Sequence, residues 1–154
     1  MAKGHQDKVA VITGAAGGIG QAFAKRLAED GVHIAVADLS DGNDTVKLVE
    51  ATGRQALAVK CDVASESSVA AMAKEVNAKF NHVDIVINCA GIFPQKNFED
   101  MTFADWRQVL SINLDGTFLV TAAFVPGMSL KRGIPAVLFH RMHLQCCSSP
   151  VQEV

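Results

Sequence analysis

The sequence predicts a doubly wound α/β fold built on a parallel sheet of about four to five strands. Two observations carry this prediction. Short apolar runs of strand length alternate with segments in which apolar residues recur at helical spacing. A glycine-rich turn, "TGAAGGIG", separates the first run from the first helical segment. Strands and helices that alternate in this way form βαβ crossovers, so neighbouring strands run parallel.

Four strands are predicted from these apolar runs. They cover Lys8–Thr13, His33–Asp38, Gln55–Asp62 and His82–Asn88. The segment "IPAVLFH" is also apolar and of strand length, so it is a candidate for one edge strand near residues 135–140. We place one domain at residues 1–128 and a divergent tail at residues 129–154.

Four helices are predicted from apolar spacing and from residues that favour helix ends. They cover Ile19–Asp30, Asp44–Ala51, a segment that begins after Ser65, and a long segment from Thr102 to about Phe124. Gly31 and Gly53 end the first two helices, and Ser65 caps the third. Thr102 with Asp105 resembles a capping box at the start of the fourth.

Composition and charge argue against several classes of partner. The chain is 49% hydrophobic and 19% charged, which is typical of a packed globule, and its net charge is −2. This charge gives no electrostatic basis for binding nucleic acid or a membrane surface. The first residues lack the apolar core of a secretory signal, and the four cysteines fit no metal-ligand spacing. We expect a cytoplasmic protein without a metal site.

The turn Thr13–Gly20 predicts a phosphate-binding loop. Gly14, Gly18 and Gly20 allow a tight turn, a close backbone approach to a pyrophosphate and close packing of the helix on the strand. The N–H groups at the start of the helix have no intrahelical partners and favour an anion. The alternative is a purely structural turn.

Asp38 ends the second strand, where an acidic residue of a dinucleotide-binding unit meets the adenosine ribose. A carboxylate there accepts hydrogen bonds from the ribose hydroxyls and repels a 2′-phosphate, so NAD is expected in preference to NADP. The alternative is a charge at the start of a helix, preceding Ser40 and Asp41.

Four motifs stand in one order: "TGAAGGIG", "CDVAS" at Cys61–Ser65, "NCAG" at Asn88–Gly91 and "SINLDGTF" at Ser111–Phe118. Their order and spacing resemble the short-chain dehydrogenase/reductase family over residues 7 to about 128. The resemblance is nearest to NAD-dependent alcohol dehydrogenases and ketoacyl-reductase-like members. It implies a Rossmann-like fold that is incomplete, and hydride transfer between NAD and a secondary alcohol or ketone.

The resemblance also implies roles for individual residues. It makes Gly14, Gly18, Ile19 and Gly20 pyrophosphate contacts, Asp38 the ribose ligand, Asp62 and Val63 adenine contacts, and Asn88, Ala90 and Gly91 the wall beside the nicotinamide ribose. Asp62 has the alternative role of a helix-capping carboxylate before Ser65. Asn113 matches the family's catalytic Asn, which holds a water in a proton relay, although a satisfied core amide is its alternative role.

The chain contains no Tyr. The family's acid–base pair is a Tyr followed four residues later by a Lys, with a Ser that orients the substrate. No such pair exists in these residues, and Ser148 and Ser149 do not follow the expected fifth strand. Neither His140 nor His143 stands in a recognisable catalytic setting. We expect no turnover from this chain.

The tail itself suggests a further hypothesis. Synonymous codons for "PAVLFHRMHL", read in a shifted frame, can encode a segment that resembles the family's fifth strand and serine motif. The tail from about Ser129 is therefore read as a frameshift product, which the coding DNA would test. Two non-catalytic alternatives remain: a nucleotide-binding protein that forms homo- or hetero-oligomers through the helix around Trp106–Leu114, or an unstable fragment.

Overall fold

Among the described residues of the computed structural model, five parallel strands form one sheet in the order β3-β2-β1-β4-β5. The structure describes residues 5–128 and the strand at residues 136–139. The strands are β1 (Val9–Thr13), β2 (His33–Asp38), β3 (Ala56–Lys60), β4 (Ile85–Asn88) and β5 (Ala136–Phe139). The predicted fold class is thus confirmed, and the fifth strand lies within residues 135–140.

Helices cover both faces of the sheet, with bounds α1 (Gly18–Glu29), α2 (Asn43–Glu50), α3 (Glu66–Phe80), α4 (Phe103–Leu110) and α5 (Gly116–Phe124). Side chains alternate along β1 to β4, so each of these four strands contributes to two separate cores. Ala10 and Ile12 pack in one core with α1 and α2 residues. Val9 and Val11 pack in the other with residues of α3 and α5.

The chain reverses its direction of travel across the sheet at β1. It moves outward from β1 to β3, then returns so that β4 pairs with the other edge of β1. Ligands of open α/β sheets bind outside the carboxyl ends of the strands at such a reversal. The topology therefore places the candidate site beside Thr13 and Asn88, the last residues of β1 and β4.

Strand β4 begins three residues later than predicted, at Ile85 instead of His82. The segment before it bonds to β1 through a side chain, since Asp84 Oδ2 accepts a hydrogen bond from Val9 N–H at 2.9 Å. Asp84 Oδ2 also lies 3.2 Å from His82 Nε2. These contacts tie the segment before β4 to the start of β1.

The long predicted helix is present but irregular. Between α4 and α5 the residues Ser111–Asp115 form a π-helical segment, and a 3-10 turn at Val125–Gly127 follows α5. Together, Phe103–Gly127 make 25 helical residues, the one helix within the described residues long and apolar enough to cross a membrane. Its Gly116, Val120 and Phe124 are buried in the protein.

Several sequence predictions fall outside the described residues. These are the frameshift boundary near Ser129 and the assignments of His140, His143, Ser148 and Ser149. The division into a domain at 1–128 and a tail at 129–154 stays a prediction.

Candidate functional site

A groove of about 520 Å³ opens at the carboxyl ends of β1 to β4. Pockets of this size commonly bind cofactors and other small molecules. The groove is lined by Gly14, Ala16, Gly17, Ala37, Asp38, Leu39, Ser40, Asp41, Cys61, Asp62, Val63, Cys89, Ala90, Gly91, Ile92 and Ile112. The topology thus brings six of the predicted site residues to one place: Gly14, Asp38, Asp62, Val63, Ala90 and Gly91.

Two glycines allow the loop after β1 to pack closely. Gly14 has φ +65°, and a Cβ there would lie 2.8 Å from both Ala90 Cα and Ala90 N. A Cβ on Gly20 would lie 2.3 Å from Gly14 O. Gly14 therefore lets the loops after β1 and β4 touch, and Gly20 lets α1 pack against the turn.

The tip of the loop, Gly17 and Gly18, has free space beside it. A Cβ on either glycine would meet nothing within 4 Å. α1 begins at Gly18, and its first turn carries no acidic residue that would repel an anion. Ile19, in that turn, keeps a side chain that is 55% exposed. This geometry suits a pyrophosphate held by backbone N–H groups.

Thr13 joins the two loops beneath the groove, a role that the sequence analysis missed. Its Oγ1 accepts hydrogen bonds from Cys89 N–H at 3.1 Å and Ala90 N–H at 3.0 Å, and Thr13 is 1% exposed. The contacts join residues more than 70 positions apart, so only the strand order reveals them.

Asp38 already bonds to the protein on both carboxylate oxygens. Oδ2 accepts from Ala16 N–H and Oδ1 accepts from Ser40 N–H, each at 2.9 Å. The residue is partly exposed and lines the groove. The carboxylate is therefore fixed in orientation between the glycine loop and the turn after β2.

Asp62 shapes the turn before α3 without capping that helix. Its Oδ1 accepts from Ala64 N–H at 2.9 Å, whereas the N-cap is Ser65, whose side chain accepts from Ser68 N–H. The helix-capping alternative for Asp62 is therefore wrong, because Ser65 caps α3 and Asp62 bonds within the turn that precedes it. Val63 is buried, and a Cβ on Gly116 would lie 2.8 Å from Val63 Cγ2.

Asn88 lies behind the groove. It is 5% exposed, and its Nδ2 donates to Thr121 Oγ1 at 3.1 Å. Within the described residues its Oδ1 is buried without a hydrogen-bond partner. Asn88 thus faces α5, and the groove wall beyond β4 consists of Cys89 through Ile92.

Asn113 holds the loop after β4 from within the π-helical segment. Its Oδ1 accepts from Ile92 N–H and its Nδ2 donates to Ile92 C=O, both at 2.9 Å. Its backbone carbonyl accepts from Thr117 Oγ1 at 2.9 Å. The amide is thus engaged by the protein itself, and π-helical turns of this kind frequently occur at functional sites.

The two described cysteines line the groove as poorly ionised thiols. Burial raises the pKa of the Cys61 thiol and of the Cys89 thiol. The thiolate is the nucleophilic form, so neither residue is suited to covalent catalysis near neutral pH. Within residues 5–128 and 136–139, no group of three or more His, Cys, Asp or Glu side chains could hold a metal ion.

The predicted capping box before α4 is present and carries a strongly acidic carboxyl. Asp105 bonds to Lys96 Nζ at 2.6 Å and to Thr102 N–H at 2.8 Å. The Lys96 ammonium, followed by the Thr102 hydroxyl and N–H, holds the pKa of Asp105 well below its usual range. The pair fixes the end of the loop that follows the groove wall.

We expect this carboxyl to make stability fall in acid. Its folded pKa lies below the unfolded value of about 3.9, so its stabilisation is complete above that pH and is lost as pH falls below about 4. In urea unfolding at pH 7, the wild type should have a higher free energy of unfolding than the Asp105→Asn variant. This difference should shrink between pH 4 and pH 2.5. A difference that stays constant over this range would contradict the assignment.

Comparison with known proteins identifies the chain. The profile of the family described as "short chain dehydrogenase" matches residues 8–137. The chain belongs to the short-chain dehydrogenase/reductase family. The match extends past residue 128, where the motif resemblance ends, and includes part of β5. It confirms the predicted family and, with the sheet, the Rossmann-like fold.

Two curated relatives share about two fifths of the aligned residues with this chain. The chain is 39% identical over 121 residues to a cis-4-hydroxycyclohexanecarboxylate dehydrogenase of Sinomonas cyclohexanicum, covering 77% of this chain and 49% of the relative. It is 40% identical over 128 residues to a D-threitol dehydrogenase of Mycolicibacterium smegmatis, covering 75% and 45%. The chain therefore spans about half the length of these relatives.

Solved structures agree with this assignment. A short-chain dehydrogenase from Mycobacterium paratuberculosis, solved with NAD bound, matches with a TM-score of 0.78 and 29% identity. The match covers 81% of this chain and 52% of that structure. Members of the short-chain dehydrogenase/reductase family are oxidoreductases that use NAD(P).

Proposed function

We propose that this chain binds NAD in the groove at the carboxyl ends of β1 to β4. The observation that carries the proposal is the open space beside Gly17 and Gly18, at the start of a helix whose first turn has no acidic residue. The pyrophosphate would rest against the N–H groups of Gly18, Ile19 and Gly20, as the motif resemblance implies.

The rest of the groove fits the other parts of a dinucleotide. Asp38 lies beside the loop and would accept hydrogen bonds from the adenosine ribose, with Asp62 and Val63 at the adenine end. Ala90 and Gly91 would border the nicotinamide ribose, and Asn88 would support them from behind. No Lys or Arg is among the described residues that line the groove, and Asp38 and Asp41 would repel a 2′-phosphate, which supports NAD over NADP.

The family's chemistry needs more than a bound cofactor. When bound, NAD accepts a hydride from the carbon of a secondary alcohol, and the alcohol proton must pass to a base. These 154 residues contain no Tyr for that step. The motif resemblance gives Asn113 the role of holding a relay water, but an amide is not itself a base. We therefore propose an oxidoreductase by descent that binds NAD without turning over a small alcohol or ketone.

Thermal melting with and without cofactor tests this proposal. NAD at about 100 times its dissociation constant should raise the free energy of unfolding by about 2.7 kcal/mol. NADP at the same concentration should stabilise the chain less, and no secondary alcohol should yield NADH from the pure protein. Melting that is unchanged at millimolar NAD would contradict cofactor binding, and NADH formation would contradict the lack of turnover.

The helix Phe103–Gly127 supports a second role, the formation of oligomers. Within this helix, only 17% of an apolar stretch of 18 residues is buried. Trp106, Leu114 and Phe118 are 49%, 61% and 69% exposed. Exposed apolar surface of this kind marks interaction sites. We propose a homo- or hetero-oligomer that forms through the part of this helix around Trp106–Leu114. We also propose a cytoplasmic location, with neither nucleic acid nor a membrane as a partner.

We expect Leu114→Lys to weaken that association, because it places a charge within an apolar contact. Sedimentation velocity at increasing protein concentration would show a shift toward monomer. Leu48→Lys is the matched control, since Leu48 is an exposed leucine of α2. If both variants associate to the same extent at each protein concentration, the interface does not lie at this helix.

A further inference from the structure

A hydrogen-bonded pair of side chains supports the glycine-rich loop from outside the groove. Thr45, in α2, is 0% exposed, and its Oγ1 donates to Ala15 C=O at 2.8 Å. Gln21, in α1, donates from Nε2 to Thr45 Oγ1, also at 2.8 Å. Neither residue lines the groove.

The chemistry of the groups fixes the direction of these bonds. A carbonyl oxygen only accepts, so the single proton of the Thr45 hydroxyl goes to Ala15. The hydroxyl oxygen is then free to accept from the Gln21 amide. Gln21 Nε2 also lies 3.5 Å from Ala16 C=O, at the outer limit of a hydrogen bond.

The Ala15–Ala16 segment is thereby held from two sides. Asp38 accepts from Ala16 N–H on the groove side, and Thr45 with Gln21 bond the carbonyls behind it. At the next two residues, Gly17 and Gly18, an added Cβ would meet no atom within 4 Å, so no side chain packs against this side of the loop. The N–H groups of Gly17 and Gly18 follow directly on Ala16, so their direction depends in part on how firmly Ala15 and Ala16 are fixed.

We propose that Thr45 and Gln21 are positioning residues that pre-organise the glycine-rich loop for a dinucleotide pyrophosphate. The inference rests on the proposed binding of NAD. Pre-organisation raises affinity because fewer conformations are lost on binding. The pair thus acts through the loop, without a contact to the cofactor.

The test compares NADH dissociation constants, measured by fluorescence titration well below the melting temperature. Thr45→Val keeps the β-branched shape and removes the hydroxyl, and we expect an approximately tenfold weaker affinity for NADH. Thr45→Ser restores the hydroxyl and should bind within about twofold of the wild type. Gln21→Met, at a partly exposed position, should weaken binding even if Thr45→Val folds poorly.

Thr52→Val is the matched control, since Thr52 Oγ1 donates to Val49 C=O just beyond the end of α2. It should leave NADH affinity unchanged. The double variant Gln21→Met, Thr45→Val should bind about as weakly as Thr45→Val alone, because the two side chains act as one unit.

The possible failures are distinguishable. If the wild type binds NADH and Thr45→Val and Gln21→Met bind equally well, the positioning role is overturned while cofactor binding stands. A lower melting temperature in both variants, with NADH affinity unchanged, also overturns the positioning role. That result would show that the two side chains only stabilise the fold. If the wild type itself does not bind NADH, the proposed function fails and the positioning role fails with it.

Discussion

Gly14→Ala should destabilise the protein by about 3 kcal/mol or more. The left-handed backbone at φ +65° costs a residue with a side chain roughly 1–2 kcal/mol. The new Cβ would also lie 2.8 Å from the Ala90 backbone, so the loops after β1 and β4 would have to separate. Urea unfolding monitored by circular dichroism measures the loss.

Gly17→Ala is the matched control for that substitution. Gly17 has φ −162°, which any residue adopts, and open space where a Cβ would stand. The free energy of unfolding of the Gly17→Ala variant should differ from that of the wild type by less than about 1 kcal/mol, because Ala at this position needs no strained conformation. Its NADH affinity should fall instead, since the methyl group would occupy the groove. Equal destabilisation by the two substitutions would contradict the loop geometry.

Asn113→Leu should lower the free energy of unfolding by about 3 kcal/mol and make the loop after β4 more mobile. The substitution leaves the N–H and the C=O of Ile92 without the partners that Asn113 supplies, and each such group costs about 1–3 kcal/mol when it stays shielded from water. Denaturant unfolding gives the stability, and hydrogen exchange of the Ile92 amide reports the loop directly.

Asn77→Leu provides the comparison for Asn113→Leu. Asn77 is an exposed residue of α3, so its substitution should change stability by no more than about 0.5 kcal/mol. Unaltered exchange at Ile92 in the Asn113→Leu protein would show that the amide is not what holds this loop.

The sequence alone predicted those elements that are determined by residues close together in the chain. The run "HIAVAD" is bounded on the sequence by Gly31 and Ser40, and β2 covers His33–Asp38 as predicted. Thr102 and Asp105 form their capping box because both partners lie within one helical turn. The glycine-rich loop was equally recognisable, since a strand precedes it and a helix follows it.

Features that depend on distant contacts were not predictable in the same way. The π-helical segment at Ser111–Asp115 has no local composition signal, and Asn113 within it bonds the backbone of a loop 21 residues earlier. Thr45 reads locally as an ordinary residue in the first turn of a helix. Its contact with Ala15 becomes visible only when α1 and α2 lie side by side on one face of the sheet.

The strand order has a consequence for how the chain folds. Val9 on β1 pairs with His33, but Ala10 pairs with Ile85 on the other side. Closing the longer loop costs about 1 kcal/mol more chain entropy. β1 and β2 should therefore associate first, and the far edge of β1 should stay open until β4 arrives. The groove, whose walls come from both sides of β1, is then among the last parts of the molecule to form.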